Sequence, residues 1–371
     1  MMLPSSTALQ RMDAVRRGLM SVDAAAALLG LSSNLRYLTG FSDEPGERLL
    51  LLIVPCEGEG TLIVPELYAD QIQAHSPAAA LRRWSDGEDP MKLVREVAQK
   101  LDPLPGKLLL DDSLWALFAL PVQATFSGRA FGLASDVMEG LRGRKDEGEI
   151  AAMRRAGEIA DAAYASVTAG RISGLTEAEL ASRLESSMLA GGADGIAFQT
   201  LVASGPNSAL PHYRAGTRRI ESGDVVILDF GCRVNGYCSD MTRTVVCGEP
   251  DSELRGIHEA VCRAHEAARE MVRSGVGAQE IDAAARDVLT GAGYGTNFTH
   301  RTGHGIGLDV HESPYIVEGN EQRLDPGMAF SIEPGAYFVG DYGVRIEDVV
   351  VVTEEGAEVM THAPQELRRV E

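Results

Sequence analysis

Three acidic side chains in the 371-residue sequence, Asp229, Glu333 and Glu347, follow or interrupt apolar runs, where an uncompensated carboxylate is costly, and a fourth, Asp240, stands close to the first. Asp229 closes the run VVIL, and Asp240 comes after it across the segment FGCRVNGYCS. Glu333 ends AFSI before Pro334-Gly335, and Glu347 sits inside the segment VRIEDVVVV, which reads as one strand. Buried carboxylates need cations. His304, in HRTGHGIGLDVHESP, adds a nitrogen donor in a glycine-rich loop, with His300 four residues before it and His311 seven after. Four carboxylates and one imidazole suit hard to borderline divalent ions, manganese or cobalt before a zinc held by thiolates. Two such ions about 3.5–4 Å apart can hold a bridging hydroxide and polarise a carbonyl.

The elements that position these groups are legible in part. Asn235-Gly236 lies between two runs of strand formers and predicts a two-residue hairpin turn. That turn puts Asp229 opposite Thr242 and Asp240 opposite Gly231. The two aspartates then become diagonal neighbours on one face, about 7–8 Å apart at Cα, within reach of one metal centre. A one-residue slip would send them to opposite faces. The same register separates Cys232 from Cys238 and disfavours a disulfide between them.

Before this region, the first 135 or so residues alternate helix-like and strand-like stretches, with apolar strand candidates over 49–55, 61–65 and 107–111, which reads as a mixed α/β module. The charged segment LRGRKDEGEI marks a boundary near Gly140. A helical pattern follows through Ile150, Met153, Ala156, Ile159, Ala160 and Ala163. A second helix is predicted over 176–189, with Thr176 as N-cap and Glu179 three residues on, and a third over 251–273. No repeat at solenoid periods is present.

Composition narrows the function classes. With 34 basic against 54 acidic residues the formal charge is −20, which argues against a nucleic-acid binder. Only four lysines are present, so the Lys-plus-Glu enrichment of hyperthermophile proteins is absent. Five cysteines without a C-x-x-C pair fit neither a disulfide scaffold nor a thiolate zinc site, and the expected home is a reducing cytoplasm. Residues 1–15 hold no apolar run of signal-peptide length, and the longest strongly apolar stretch, 49–54, is too short to cross a bilayer, so neither export nor membrane association is expected. GHGIG lacks the G-x-G-x-x-G spacing of a dinucleotide loop, and neither Ser204 nor Ser208, near His212, lies in a G-x-S-x-G elbow.

Taken together, these residues resemble the metallopeptidases of the methionine aminopeptidase, aminopeptidase P and prolidase group, over roughly residues 140–362. Asp229, Asp240 with its following Thr242, His304, Glu333 in EPG and Glu347 match the family's metal-ligand positions. His212 in NSALPHYR, His300, and His311 in LDVHESP match histidines that flank the metals in the proline-directed branch. Arg345 matches an arginine beside the ligands, and Tyr337 in EPGAY a position lining the site. The resemblance implies an α/β (α+β) chain, with a small creatinase/prolidase-like domain over 1–140 and a pita-bread catalytic domain over 141–371. It implies two divalent ions, manganese first and cobalt or zinc as alternatives, and a homodimer.

The implied reaction is hydrolysis of the Xaa-Pro bond, in dipeptides before longer peptides, by a metal-bridging hydroxide with Glu333 as both ligand and proton shuttle. His212 and His311 would donate to the developing gem-diolate, and Arg345 would hold the carboxylate network together with Tyr337. A dipeptidase must also recognise a free carboxylate, for which a bidentate arginine is the natural partner. The segment NLRYLTGFSDEPGER resembles a loop that covers the active site in this family, often from the partner subunit, and it offers Arg48, or secondarily Arg36, as that clamp. The alternatives are an aminopeptidase P acting on longer peptides, and a metal-free homologue serving as a scaffold. A creatine amidinohydrolase is disfavoured because all five ligand positions are filled.

Overall fold

The structure is a computed structural model that describes residues 3–44, 46–73 and 79–371. The chain divides into two compact units, Met1–Arg142 and Gly143–Glu371. Both mix helices and strands, the α/β character expected from the sequence.

In the first unit six strands form one sheet in the order Ala79–Trp84, Gly60–Pro65, Leu51–Pro55, Ala24–Leu29, Lys107–Leu110, Phe131–Leu133. Leu51–Pro55 runs antiparallel to both of its neighbours, and the outer pairings are parallel. AAAALL and LLIVP are buried at every position, as strands covered on both faces must be. Helix Met91–Leu101 contributes Val94, Val97 and Leu101 to the core formed with Leu28, Ile53 and Leu108.

The second unit is built from two helix-backed layers. In the first, a four-stranded sheet runs Arg368–Val370, Met241–Cys247, Val225–Phe230, Leu201–Ser204. Helices Glu147–Thr168 and Glu177–Ala190 cover one of its faces, where Ala156, Ala160, Leu180 and Leu184 meet Val226, Leu228, Phe230 and Val245. Asp146 opens the first of these helices and Thr176 the second, each with a capping box, so two orphan backbone donors are satisfied at each start. In the second layer, a five-stranded sheet runs Glu312–Ile316, Gly303–Gly305, Ala329–Ile332, Asp348–Val352, Ala357–Val359. It packs Phe330, Ile332, Val350 and Val352 against helices Ser252–Met271 and Ala278–Gly291. No helix among the described residues is long and apolar enough to cross a membrane.

The hairpin register is the one that Asn235-Gly236 predicts. Both turn residues have positive φ, +52° and +89°, as the two-residue turn of this hand requires. Val234 pairs with Tyr237, and Asp229 with Thr242. Between these pairings the ladder opens at Gly231, where a Cβ would lie 1.9 Å from the Ser239 carbonyl oxygen. Two local expectations need correction. VRIEDVVVV is two strands, Tyr342–Arg345 paired with Gly335–Phe338, and Asp348–Val352 in the five-stranded sheet. The loop holding His304 contains the short strand Gly303–Gly305.

Candidate metal centre and active site

Strand alternation brings the acids to the inner faces of the two layers. Val226, Leu228 and Phe230 point into the helix-backed core, so Ile227 and Asp229 face the other way, where Ile227 packs with Leu201, Ala203 and Tyr337. Asp240 stands just before strand Met241–Cys247 and is buried. Phe330 and Ile332 likewise point to their helices, leaving Ser331 and Glu333 on the opposite side. Gly303 makes the approach of the next strand possible: a Cβ there would sit 1.7 Å from the Ser331 carbonyl oxygen. His304 N consequently donates to Ser331 Oγ at 3.1 Å, and Ser331 Oγ donates to Glu333 Oε1 at 3.3 Å. Glu347 occupies the crossing between two sheets, with its N–H donating to the Thr242 carbonyl at 3.1 Å.

Asp240, His304 and Glu347 each present a donor atom within 4.8 Å of the others. His304 Nε2 is 3.8 Å from Asp240 Oδ2 and 3.4 Å from Glu333 Oε1. Asp229 is drawn to this group through Arg345, whose Nη2 donates to Asp229 Oδ2 at 2.6 Å. Arg345 Nε donates to Thr242 Oγ1 at 3.1 Å, and Thr242 Oγ1 donates to Glu347 Oε2 at 2.6 Å. The remaining nitrogen, Nη1, donates to Tyr337 Oη at 2.8 Å, and Tyr337 Oη is 2.9 Å from His300 Nε2. The Arg301 carbonyl, an acceptor only, lies 2.8 Å from His300 Nδ1, which therefore carries the proton. His300 Nε2 accepts from Tyr337, completing a chain from Asp229 through Arg345 and Tyr337 to His300.

The electrostatics call for cations. Burial, joined at Asp240 and Glu347 by repulsion from neighbouring carboxylates, pushes both of these acids well above their usual range. Burial also raises Asp229, against the pull of Arg345, and lifts Glu333 to about 7. His304 is driven down to about 3 by burial and by His311, so it is a neutral imidazole. Its Nδ1 lies 3.1 Å from the Gly305 carbonyl, which fixes the proton there and turns the Nε2 lone pair toward Asp240 and Glu333. A lone pair facing carboxylate oxygens has nothing to hold it without a cation between them. Asp229 Oδ1 and Asp240 Oδ1 are, in addition, buried without a hydrogen-bond partner among the described residues. Oxygen and imidazole donors of this kind fit divalent ions, and Asp229, Asp240, His304, Glu333 and Glu347 are the residues that would hold them. All five cysteines are free, and burial holds the Cys232 and Cys238 thiols at about 11 and about 12, so no thiolate competes.

A cleft of about 580 Å³ opens over this group. His212, on an exposed turn, and His300 and His311 line it, and the His311 ring centroid is 4.2 Å from that of His304. The turn bearing His212 is anchored by its neighbour: Tyr213 Oη donates at 2.8 Å to Glu177, a fully buried carboxylate on helix Glu177–Ala190. Ser204 and Ser208 are occupied structurally, Ser204 Oγ donating to Glu177 at 2.8 Å and Ser208 Oγ to the Gly205 carbonyl at 2.6 Å. Arg48 belongs to the first unit. Its Nε and Nη2 fork onto Asp86 at 2.9 and 2.8 Å, and Nη1 reaches Glu47 at 2.8 Å.

Comparison with known proteins gives this geometry a family. The model of metallopeptidase family M24 matches residues 151–354, and that of the creatinase/prolidase N-terminal domain matches residues 11–143. The chain belongs to metallopeptidase family M24. A Mycobacterium tuberculosis protein named probable dipeptidase PepE is 44% identical over 352 residues, 93% of this chain and 92% of the relative. The crystal structure of dipeptidase PepE from Mycobacterium ulcerans matches with TM-score 0.93 and 40% identity, covering 100% of both chains. A prolidase from Thermococcus sibiricus matches with TM-score 0.93 and 40% identity, over 97% of this chain and 98% of its own. In this M24 chain the motif reading passed over Arg301, which lines the cleft, and Ser331, which is buried behind it and joins His304 to Glu333. The signal for Ser331 was present, since it precedes Glu333 by two along a strand. Arg301 stands beside His300 but belongs to no acid or histidine pattern.

Proposed function

We propose that the protein is an Xaa-Pro dipeptidase, a prolidase, working with two divalent ions, manganese before cobalt or zinc. The observation that carries this reading is the gathering of His212, His300 and His311 around the carboxylate group in one cleft. The names of the relatives at 40–44% identity support it.

When bound, divalent ions supply polarisation of the scissile carbonyl and a water of lowered pKa. The chain's own groups do the rest. Glu333 accepts a proton from the attacking water as its oxygen bonds to the carbonyl carbon, and returns that proton to the proline nitrogen as the C–N bond breaks. His311 and His212 donate hydrogen bonds to the oxygen on which negative charge grows. Arg345 fixes Asp229 and lines the cleft with His300, and Tyr337, expected to line the site, instead lies buried behind them and ties the two together. A bond before proline has no N–H, so recognition falls on the pyrrolidine ring and the termini instead. Arg48, expected as the clamp for a free carboxylate, must exchange Asp86 for the substrate to serve that role. The five free thiols support a reducing cytoplasm as the working compartment, and the family resemblance supports a homodimer.

A manganese-supplemented assay comparing an Xaa-Pro dipeptide with an Xaa-Pro-Yaa tripeptide and longer peptides tests the reading, with wild type beside Arg48→Ala. Preferential cleavage of the dipeptide is the expected outcome. Preference for the longer peptides makes the protein an Xaa-Pro aminopeptidase instead. Sedimentation velocity on the same sample tests the homodimer.

A further inference from the structure

Arg345 and Arg48 are already committed to partners within the protein. Arg345 spends its guanidinium on Thr242, Tyr337 and Asp229, and Arg48 spends its own on Asp86 and Glu47. Arg301 is different. It lines the catalytic cleft, half-buried, with its guanidinium carbon 4.5 Å from the Tyr315 ring centroid. Its guanidinium makes no hydrogen bond or ion pair with any described residue. Burial dominates the shifts at Glu333, His304 and His311, and the Arg301 charge contributes to each, which puts that charge within electrostatic reach of the reacting groups. Arg214 lines the same cleft, also without an ion pair among the described residues, but it is exposed and no ring restrains it.

A half-buried guanidinium without a counter-ion is poised for an anion, and its planar fork matches a carboxylate. The acids of the cleft cannot fill that role, since the cation site claims them. In an Xaa-Pro dipeptide the carboxylate is only two bonds from the scissile nitrogen, so its receptor must stand beside the reacting bond. Arg301 meets that demand, because His300 precedes it directly and His304 follows three residues on. Stacking on Tyr315 also lowers the rotamer entropy lost when a ligand is bound. We propose that Arg301, held against Tyr315, receives the free carboxylate of the substrate and sets a preference for dipeptides from within the catalytic unit. This rests on the Xaa-Pro dipeptidase reading.

The test measures kcat and KM for an Xaa-Pro dipeptide, its C-terminal amide and an Xaa-Pro-Yaa tripeptide. The proteins are wild type, Arg301→Gln, Arg301→Lys, Arg214→Gln and Arg48→Ala, each with its manganese content determined. Wild type is expected to prefer the free dipeptide over its amide by about 10- to 100-fold, the span of charge-assisted hydrogen bonds. Arg301→Gln should bring that ratio close to unity, mainly through KM for the dipeptide and with manganese retained, and Arg301→Lys should restore part of it. If Arg301→Gln keeps the preference, or if Arg214→Gln or Arg48→Ala abolishes it instead, the assignment to Arg301 is overturned while the dipeptidase reading stands. A wild type that shows no preference for the free dipeptide over its amide overturns both. Loss of manganese from Arg301→Gln together with all activity would make the residue structural and also overturn it. A wild type that prefers the tripeptide removes the dipeptidase reading itself, and the assignment falls with it.

Discussion

Arg345 and Asp229, 116 residues apart in sequence, meet at 2.6 Å between Nη2 and Oδ2, with the arginine side chain only 3% exposed. Removing one partner of such a pair leaves the other charge buried alone. Arg345→Ala is expected to lower stability by about 3–5 kcal/mol, read from urea unfolding. Arg345→Lys cannot hold Asp229, Tyr337 and Thr242 at once and should fall between wild type and alanine. Equal stability of all three proteins would show that the pair contributes nothing.

His311→Ala should separate chemistry from metal retention. The ring stands beside His304 without belonging to the carboxylate group, so turnover is expected to fall by about 10²–10³-fold, the range for losing one donor to a developing oxyanion. Manganese content should stay near the wild-type level. A parallel loss of both would sink the assigned role.

The four crowded acids tie stability to pH and cations. Glu333 titrates near 7 in the folded chain, against an ordinary 4.5, because of burial. An acid whose folded pKa is raised binds more protons folded than unfolded between those values, so its contribution to stability is lost as pH rises through that window and returns on acidification. Asp229, Asp240 and Glu347 shift in the same direction. A divalent cation takes the place of those protons. The gap in urea midpoint between manganese-loaded and chelated protein is therefore expected to widen from about pH 5 to about pH 7, and a gap that narrows over this range contradicts the account.

Gly303→Ala tests whether backbone approach builds the site. Its Cβ would fall 1.7 Å from the Ser331 carbonyl oxygen, on the strand that leads to Glu333. The strands must part, taking His304 away from Ser331 and Glu333, and manganese affinity measured by calorimetry should drop by about tenfold or more, as when partners that orient metal ligands are lost. Gly140→Ala, where a Cβ meets nothing within 4 Å, is the matched control.

Local signals carried a good part of this architecture. The Asn235-Gly236 turn gave the register that aligns Asp229 with Thr242, and Thr176 with Glu179 marked a helix start. What stayed hidden depends on distant partners. VRIEDVVVV reads as one strand because every local preference favours extension, yet its halves pair with Gly335–Phe338 and with Ala329–Ile332, so the chain changes sheets at Ile346-Glu347. Arg48 offers itself in the sequence as a clamp for a carboxylate, and only the fold brings Asp86 to it from 38 residues away. Arg301 carries no pattern at all, and its stacking on Tyr315 comes from the pairing of Gly303–Gly305 with Glu312–Ile316.

The second unit has two apolar interiors, each completed by its own pair of helices, and the acids lie where the inner faces of the layers look at each other. Cohesion is weakest where like charges oppose one another, so the chelated protein should breathe along this seam before either interior melts. Amide protons of Thr242 and Glu347, which bridge the layers, would then exchange with solvent well ahead of those in Val225–Phe230 or Asp348–Val352. Cations bound from both sides act as a fastener, and exchange at the seam would slow toward the rate of global unfolding.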